Sequence, residues 1–304
     1  MEKVIRIGTR DSQLALWQAQ QVLQLLRAQG VACELVPVKS EGDLDLVTPL
    51  YAMGVQGVFT RMLDTALLNN RIDIAVHSMK DVPVELPQGI TEAAILKRGP
   101  VRDILVYKKD LDFLGNGRPA VIATGSIRRK AQWLHKYPHH RIEDLRGNVN
   151  TRLAKLASSD WAGAIFAAAG LERIGLRPAQ SLTLDWMLPA PAQGAIMVVC
   201  RMEDAFAKAC CATLNDEETR LCTHIERDFL QALMGGCSTP ISAYAYVEDD
   251  RVFFEGSVHA PDGKEQAFIR KEMTIAAAKT LGQTAAADIS AMGAKDILAK
   301  MKDL

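Results

Sequence analysis

Seven arginines fall between Thr124 and Arg177 in a chain whose 36 basic and 36 acidic residues cancel. Four of them lie in two compact motifs, Thr124-Gly125-Ser126-Ile127-Arg128-Arg129 and Leu145-Arg146-Gly147-Asn148-Val149-Asn150-Thr151-Arg152-Leu153. Guanidinium is a planar, permanently charged fork of donors that grips carboxylate or phosphate at two points. Set among Gly, Ser, Thr and Asn, whose hydroxyls and backbone N–H groups also bind anions, these arginines point to a polyanionic small molecule. Thr124 and Ser126 stand where a strand runs into a helix, and a helix N-terminus favours anions. Neighbouring helix positions face apart, so Arg128 and Arg129 are expected to diverge. Arg10, in Gly8-Thr9-Arg10-Asp11-Ser12, occupies a matching strand-to-helix turn with Ser12 as the prospective N-cap, and Arg173 follows a later strand.

Two further segments carry reactive groups. Ala75–Pro83 begins as a buried strand and ends in Ser78, Lys80 and Asp81. Lys80 can hold an anion, while Asp81 either exchanges protons and steadies a developing cation or is a turn residue ahead of Pro83. His77 reads as a hydrogen-bonded structural residue. Cys237 follows Gly235-Gly236, a pair that permits close approach of another group. Its thiol is either an inert small residue or a nucleophile and attachment point.

The elements that must position these groups alternate. Val4–Gly8, Val31–Val38 and Ile72–Val76 read as strands; a helix starting at Ser12 and another over Val58–Leu68 separate them, with Ser40–Gly57 as a loop. The pattern repeats with strands at Asp103–Tyr107, Val121–Thr124 and Gly163–Ala168 and helices at Ile127–Lys136 and Val149–Leu156. Ala195–Cys200 is a lone apolar strand that can return to the first sheet. From Asp216 a helix, alternating strands (Ile241–His259, Gln266–Thr274) and a last helix follow. The expectation is two periplasmic-binding-protein-like lobes with mostly parallel sheets and a C-terminal α+β domain. The boundaries read as 1–96 with 195–214, 100–190, and 216–304. In such folds ligands lie outside the carboxyl ends of the strands, in the cleft between lobes.

The bulk numbers exclude several classes. A chain of 304 residues with a pI near 7.0 lacks the basic footprint of a nucleic-acid binder. It opens directly on a strand, and no apolar run approaches a membrane span, so the protein reads as cytoplasmic. Six cysteines form no Cys-x-x-Cys pair and no zinc spacing, so no metal is expected.

Ile7–Ala15, Ala75–Pro83, Ser126–Arg129, Leu145–Leu153, Gln193-Gly194-Ala195 and Gly235-Gly236-Cys237, in that order, resemble the porphobilinogen deaminase family of tetrapyrrole biosynthesis. The resemblance implies head-to-tail condensation of four porphobilinogen molecules with loss of ammonia to give hydroxymethylbilane. It also implies a dipyrromethane cofactor joined by thioether to Cys237. Loss of ammonia leaves an electron-poor azafulvene, and pyrrole attack makes a cationic ring nitrogen that a fixed carboxylate steadies. Carried over onto this chain, Asp81 is the catalytic carboxylate. Arg10, Ser12, Lys80, Thr124, Ser126, Arg128, Arg129, Arg146, Arg152, Arg173 and Gln193 become cofactor or substrate contacts, with Ser78 and Asp43 beside them. Each pyrrole brings an acetate and a propionate, which accounts for the arginines. The chain departs from the family pattern at Val55-Gln56, where Gly-Lys is frequent, at Ala192, where Gly is usual, and at Ala123 and Gly125, where Gly and Ser are usual. The expected partner is porphobilinogen alone, with no nucleic acid or membrane, and the chain a monomer. The rival reading is a non-catalytic two-lobed binding protein for an anionic metabolite, which leaves Cys237 and the third domain without a task.

Overall fold

The computed structural model describes residues 3–39, 60–115, 117–234 and 239–300. Its described residues fall into two compact units. The first holds the chain up to Gly99 together with Gly194–Arg220; the second holds Pro100–Gln193 and the chain from Leu221 onward.

Strand β1 (Ile5–Arg10) buries Ile5, Ile7 and Thr9. Helix α1 (Gln13–Ala28) starts where Ser12 Oγ accepts the Ala15 N–H at 3.4 Å, and it buries Ala15, Ala19, Val22 and Leu26 as its spacing predicts. Then come β2 (Cys33–Val38), α2 (Arg61–Leu68), β3 (Ile74–Ser78), a 3-10 turn at Met79–Asp81, and β4 (Ile90–Ile95). The second unit opens with β5 (Asp103–Tyr107), β6 (Val121–Ala123) and α3 (Ile127–Lys136). It continues through β7 (Arg141–Glu143), α4 (Val149–Ser158), β8 (Gly163–Ala167), α5 (Ala168–Glu172) and β9 (Ser181–Thr183).

β10 (Ile196–Arg201) and α6 (Ala205–Ala212) return to the first unit, where β10 lies antiparallel between β3 and β4. Ile196, Met197, Val198, Val199 and Cys200 are all buried, so both faces of β10 are covered and its sequence is continuously apolar. The first sheet has the order β2-β1-β3-β10-β4, and the second β7-β6-β8-β5-β9. In each, the first three strands are parallel, and the fourth runs antiparallel to both its neighbours. The two sheets therefore share one arrangement of strand directions, with β1 and β6 each second in the order.

After α7 (Glu217–Ala232), strands β11 (Ile241–Glu248), β12 (Arg251–His259) and β13 (Gln266–Thr274) form an antiparallel meander. Helices α8 (Leu281–Ile289) and α9 (Lys295–Ala299) close the chain's described part. Phe229 of α7 meets Phe254 of β12 edge-on at 5.1 Å between centroids, which packs the sheet on its helix.

Candidate functional site

In the first lobe the parallel pairing of β1 with β3, Ile7 opposite Ile74, brings the carboxyl ends of both strands to one edge. β1 ends on Arg10, two residues beyond the strand expected from sequence, so Arg10 is held by the sheet. β3 ends on Ser78, whose Oγ is held by Gln18 Nε2 of α1 at 2.8 Å. The turn that follows carries half-buried Lys80 and Asp81 and closes with the Val82 N–H on the Met79 carbonyl. Arg10, Ser12, Gln18, Thr60, His77, Ser78 and Asp81 line a cavity of about 60 Å³.

His77 lies at the carboxyl end of β3. It is buried, and its Nε2 has no hydrogen-bond partner among the described residues. Burial first, and the Arg10 charge second, push its pKa down to about 4, so the ring is neutral at physiological pH.

In the second lobe Thr124 leaves β6 and donates its N–H to the Glu143 carbonyl at 2.9 Å. Its Oγ1 accepts the Ser126 N–H at 3.3 Å, and Ser126 caps α3. A Cβ on Gly125 would stand 2.5 Å from the Leu145 carbonyl oxygen, so the chain has no room for the family's more frequent serine there without a shift. At Gly147 φ is +110°, and a Cβ would meet Thr151 Cγ2 at 2.7 Å, which accounts for the glycine between Arg146 and Asn148. Asn148 then caps α4 by accepting the Thr151 N–H at 3.0 Å. Arg146 is buried, and Arg152 is half-buried in the first turn of α4. Arg173, just after α5, is pushed down to about 10 by burial.

Arg128 and Arg129 do not diverge. Arg128 Nη2 donates to Asp103 Oδ2 at 2.7 Å, and Arg129 Nη2 to Asp103 Oδ1 at 2.8 Å. Both side chains are long enough to fold back beneath the helix start onto the one buried carboxylate. Gln193, fully buried, donates to Asp103 Oδ1 at 2.9 Å and to the Val101 carbonyl at 2.7 Å. Two guanidiniums against one carboxylate leave an excess positive charge in a buried place. Burial pushes the Arg128 pKa down; Asp103 counters this, and Arg129 adds to it.

Asp103 and Glu226 were not singled out from sequence. Asp103 is a lone acid opening an apolar strand, and that oddity was its only signal. Glu226, fully buried on α7, accepts the Ala192 N–H at 2.6 Å and the Ala245 N–H at 2.7 Å. Ala192 adopts φ +61°, so the departure from glycine is not a neutral exchange of small residues. Asp43, Cys237 and the Val55-Gln56 departure lie outside the described residues. Among the described residues no three His, Cys, Asp or Glu side chains are grouped to hold a metal ion. No described helix is long and apolar enough to cross a membrane. Burial raises the thiol pKa values of Cys200, Cys210 and Cys211, the last to about 12.

The fold and its charged strand ends define an α/β protein of two parallel-rich lobes, with arginine-lined turns and an antiparallel C-terminal sheet. Residues 5–209 match the family model "Porphobilinogen deaminase, dipyromethane cofactor binding domain", and residues 220–291 match "Porphobilinogen deaminase, C-terminal domain". The chain belongs to the porphobilinogen deaminase family. It is an enzyme with hydroxymethylbilane synthase activity, condensing porphobilinogen on a dipyrromethane cofactor. Similar solved structures include the BvgS VFT2 domain of Bordetella pertussis, 12% identical with a TM-score of 0.42, covering 71% of this chain and 90% of that one. An ancestral cationic amino acid solute binding protein is 14% identical with a TM-score of 0.44, covering 69% and 87%. A periplasmic substrate-binding protein of an ABC transporter from Coxiella burnetii is 16% identical with a TM-score of 0.42, covering 69% and 91%. At these scores the likeness is loose, and the fold rests on the strand order given above.

Proposed function

We propose that Asp81 is the catalytic carboxylate and that Cys237 carries the dipyrromethane by a thioether. Arg10, Ser12, Asp43, Ser78, Lys80, Thr124, Ser126, Arg128, Arg129, Arg146, Arg152, Arg173 and Gln193 receive the acidic side chains of cofactor and substrate or hold the groups that do. The observation that carries the reading is the buried excess charge at Arg128 and Arg129, whose Nε atoms have no partner among the described residues. A buried cation without its counter-charge is costly, and a ligand carboxylate supplies one. Burial pushes the Arg173 pKa down to about 10, and an anion beside it favours its charged form. The group's chemistry therefore fits the residues: a pyrrole pair bearing carboxylates meets a lobe whose buried charge is positive.

When bound, the dipyrromethane supplies the pyrrole end from which the product grows. Asp81, in the turn after β3 and lining one cavity with Arg10 and neutral His77, steadies positive charge on a ring nitrogen and accepts or returns its proton. Its neighbour Lys80 suits a substrate carboxylate. The reading extends to three domains, spanning 1–96 with 195–214, 100–190 and 216–304, in a monomeric cytoplasmic enzyme.

Intact mass tests the attachment. The chain from a host that makes porphobilinogen should carry the mass of two linked pyrroles, and Cys237→Ser should fold and run at the bare mass. A two-pyrrole adduct on the Cys237→Ser chain would reject Cys237.

A further inference from the structure

Asp103 opens β5 as a fully buried carboxylate, and each of its oxygens takes a different arginine. The rear of each guanidinium is anchored as well. Arg128 Nη1 donates to the Leu188 carbonyl at 2.6 Å, and Arg129 Nη1 to the Ile165 carbonyl at 3.1 Å. Gln193 adds its amide to Oδ1, fixing the carboxylate from a third direction. Successive helix positions point about 100° apart, so two adjacent arginines at the start of α3 would separate if left to the helix alone. The shared carboxylate turns them onto one spot.

The charge balance is equally specific. Both arginines are about nineteen-twentieths buried, at 4% and 5% exposure. Among the described residues one carboxylate faces the two guanidiniums and cancels one of their charges, so a single positive charge remains. Each Nε is buried without an acceptor among the described residues. A site so arranged is complete with one further carboxylate: none leaves a buried cation bare, and two make a buried anion excess.

We propose that Asp103 is a positioning residue that locks Arg128 and Arg129 into one pair of net charge +1, and so makes that pair a receiver for a single ligand carboxylate. The proposal rests on the reading that these arginines hold cofactor or substrate. Asp103 acts through the arginines, by direction and by charge, with Gln193 fixing its carboxylate.

Asp103→Glu keeps the charge and moves the carboxylate by one methylene. In the full chain, melting temperature, intact mass, and KM and kcat for porphobilinogen are compared with the unaltered protein. The variant should melt within about 5 °C of the parent. The fraction bearing the two-pyrrole adduct should fall at least about twofold, and KM should rise at least about fivefold with kcat changed by less than about threefold. A folded Asp103→Glu chain with full adduct occupancy and unaltered KM would reduce Asp103 to a counter-charge and overturn the proposal. Should this variant fail to fold, Asp103→Asn with Arg128→Gln, which again has a net charge of one, is compared with Arg128→Gln alone. Adduct occupancy lower by about twofold in the double variant supports positioning, because Arg129 has lost its guide; equal or higher occupancy overturns it. Arg129→Lys tests the underlying reading separately. Unaltered occupancy and KM there would remove the ligand from this pair, whatever the Asp103 variants do.

Discussion

Glu226 Oε2 accepts the backbone N–H of Ala192 at 2.6 Å, while its other oxygen accepts the N–H of Ala245 at 2.7 Å. One carboxylate on α7 thus joins the segment leading into Gln193 to the first strand of the C-terminal sheet. It also holds Ala192 at φ +61°, a backbone region that disfavours a side chain by roughly 1–2 kcal/mol.

Ala192→Gly should therefore stabilise the fold, since the relieved strain exceeds the roughly 0.5–1 kcal/mol that glycine costs in chain entropy. A gain of about 0.5–1 kcal/mol is expected from the denaturant midpoint at unchanged slope. A midpoint at or below that of the parent would show the strain to be relaxed by other means.

Removing the acceptor has the opposite sign. Glu226→Ala leaves two buried N–H groups without their carboxylate, each costing about 1–3 kcal/mol. Chemical denaturation should show a loss of about 2–6 kcal/mol, against little change for an exposed control such as Glu272→Ala.

Acid should loosen the first lobe through Asp73. Burial alone would raise this carboxyl, but hydrogen bonds from the Arg6 side chain and backbone and from Arg201 hold it down, at about 2. A pKa below the ordinary 3.8 means that its contribution is complete above that value and disappears as pH falls towards 2. The melting-temperature difference between the parent and Asp73→Asn should accordingly be large at pH 6 and shrink on acidification from about 4 to about 2. A difference independent of pH would contradict the ion-pair account.

The buried histidines act earlier on the same acid limb. His77 and His259 are each held near 4, the first by burial and then Arg10, the second by burial, then His135 and Arg128. The unfolded chain takes up these protons near 6.5 while the folded chain refuses them, so stability falls as pH drops from about 6.5 to about 4. Replacing either ring with Asn should flatten that stretch of the stability curve. Ring-proton shifts that titrate near 6.5 in the folded protein would refute it.

Asp81→Ala should retain the adduct by intact mass yet lower kcat by about a hundred- to ten-thousand-fold, the usual span for a lost proton-handling group. Near-normal turnover would sink the assignment.

Much of this was legible in the residues. The apolar spacing and Ser12 locate α1, Ile127–Lys136 is helical over the expected residues, and the unbroken apolar run into Cys200 is a strand covered on both faces. β7 and β9 were not legible: each has three residues without the apolar run that marks β6, and Arg141-Ile142-Glu143 and Ser181-Leu182-Thr183 each hold one apolar residue. Neither was the pairing of Arg128 with Arg129. Helical geometry alone predicts divergence, and the carboxylate that overrides it comes from a strand about 25 residues upstream.

The placement of β10 has a consequence for how the chain matures. Met197 pairs with His77, and Val198 with Ala94, so the return strand is the only ladder joining β3 to β4 among the described residues. Until Ile196–Arg201 has left the ribosome, β3 stands as an open edge and β4 has no neighbour, whereas β5–β9 are already complete. The lobe made first therefore finishes after the lobe made second. Such long-separation pairing is slow, and an exposed strand edge is where nascent chains stick to one another. A polypeptide halted before Ile196 should leave the second lobe protease-resistant and the first open to digestion.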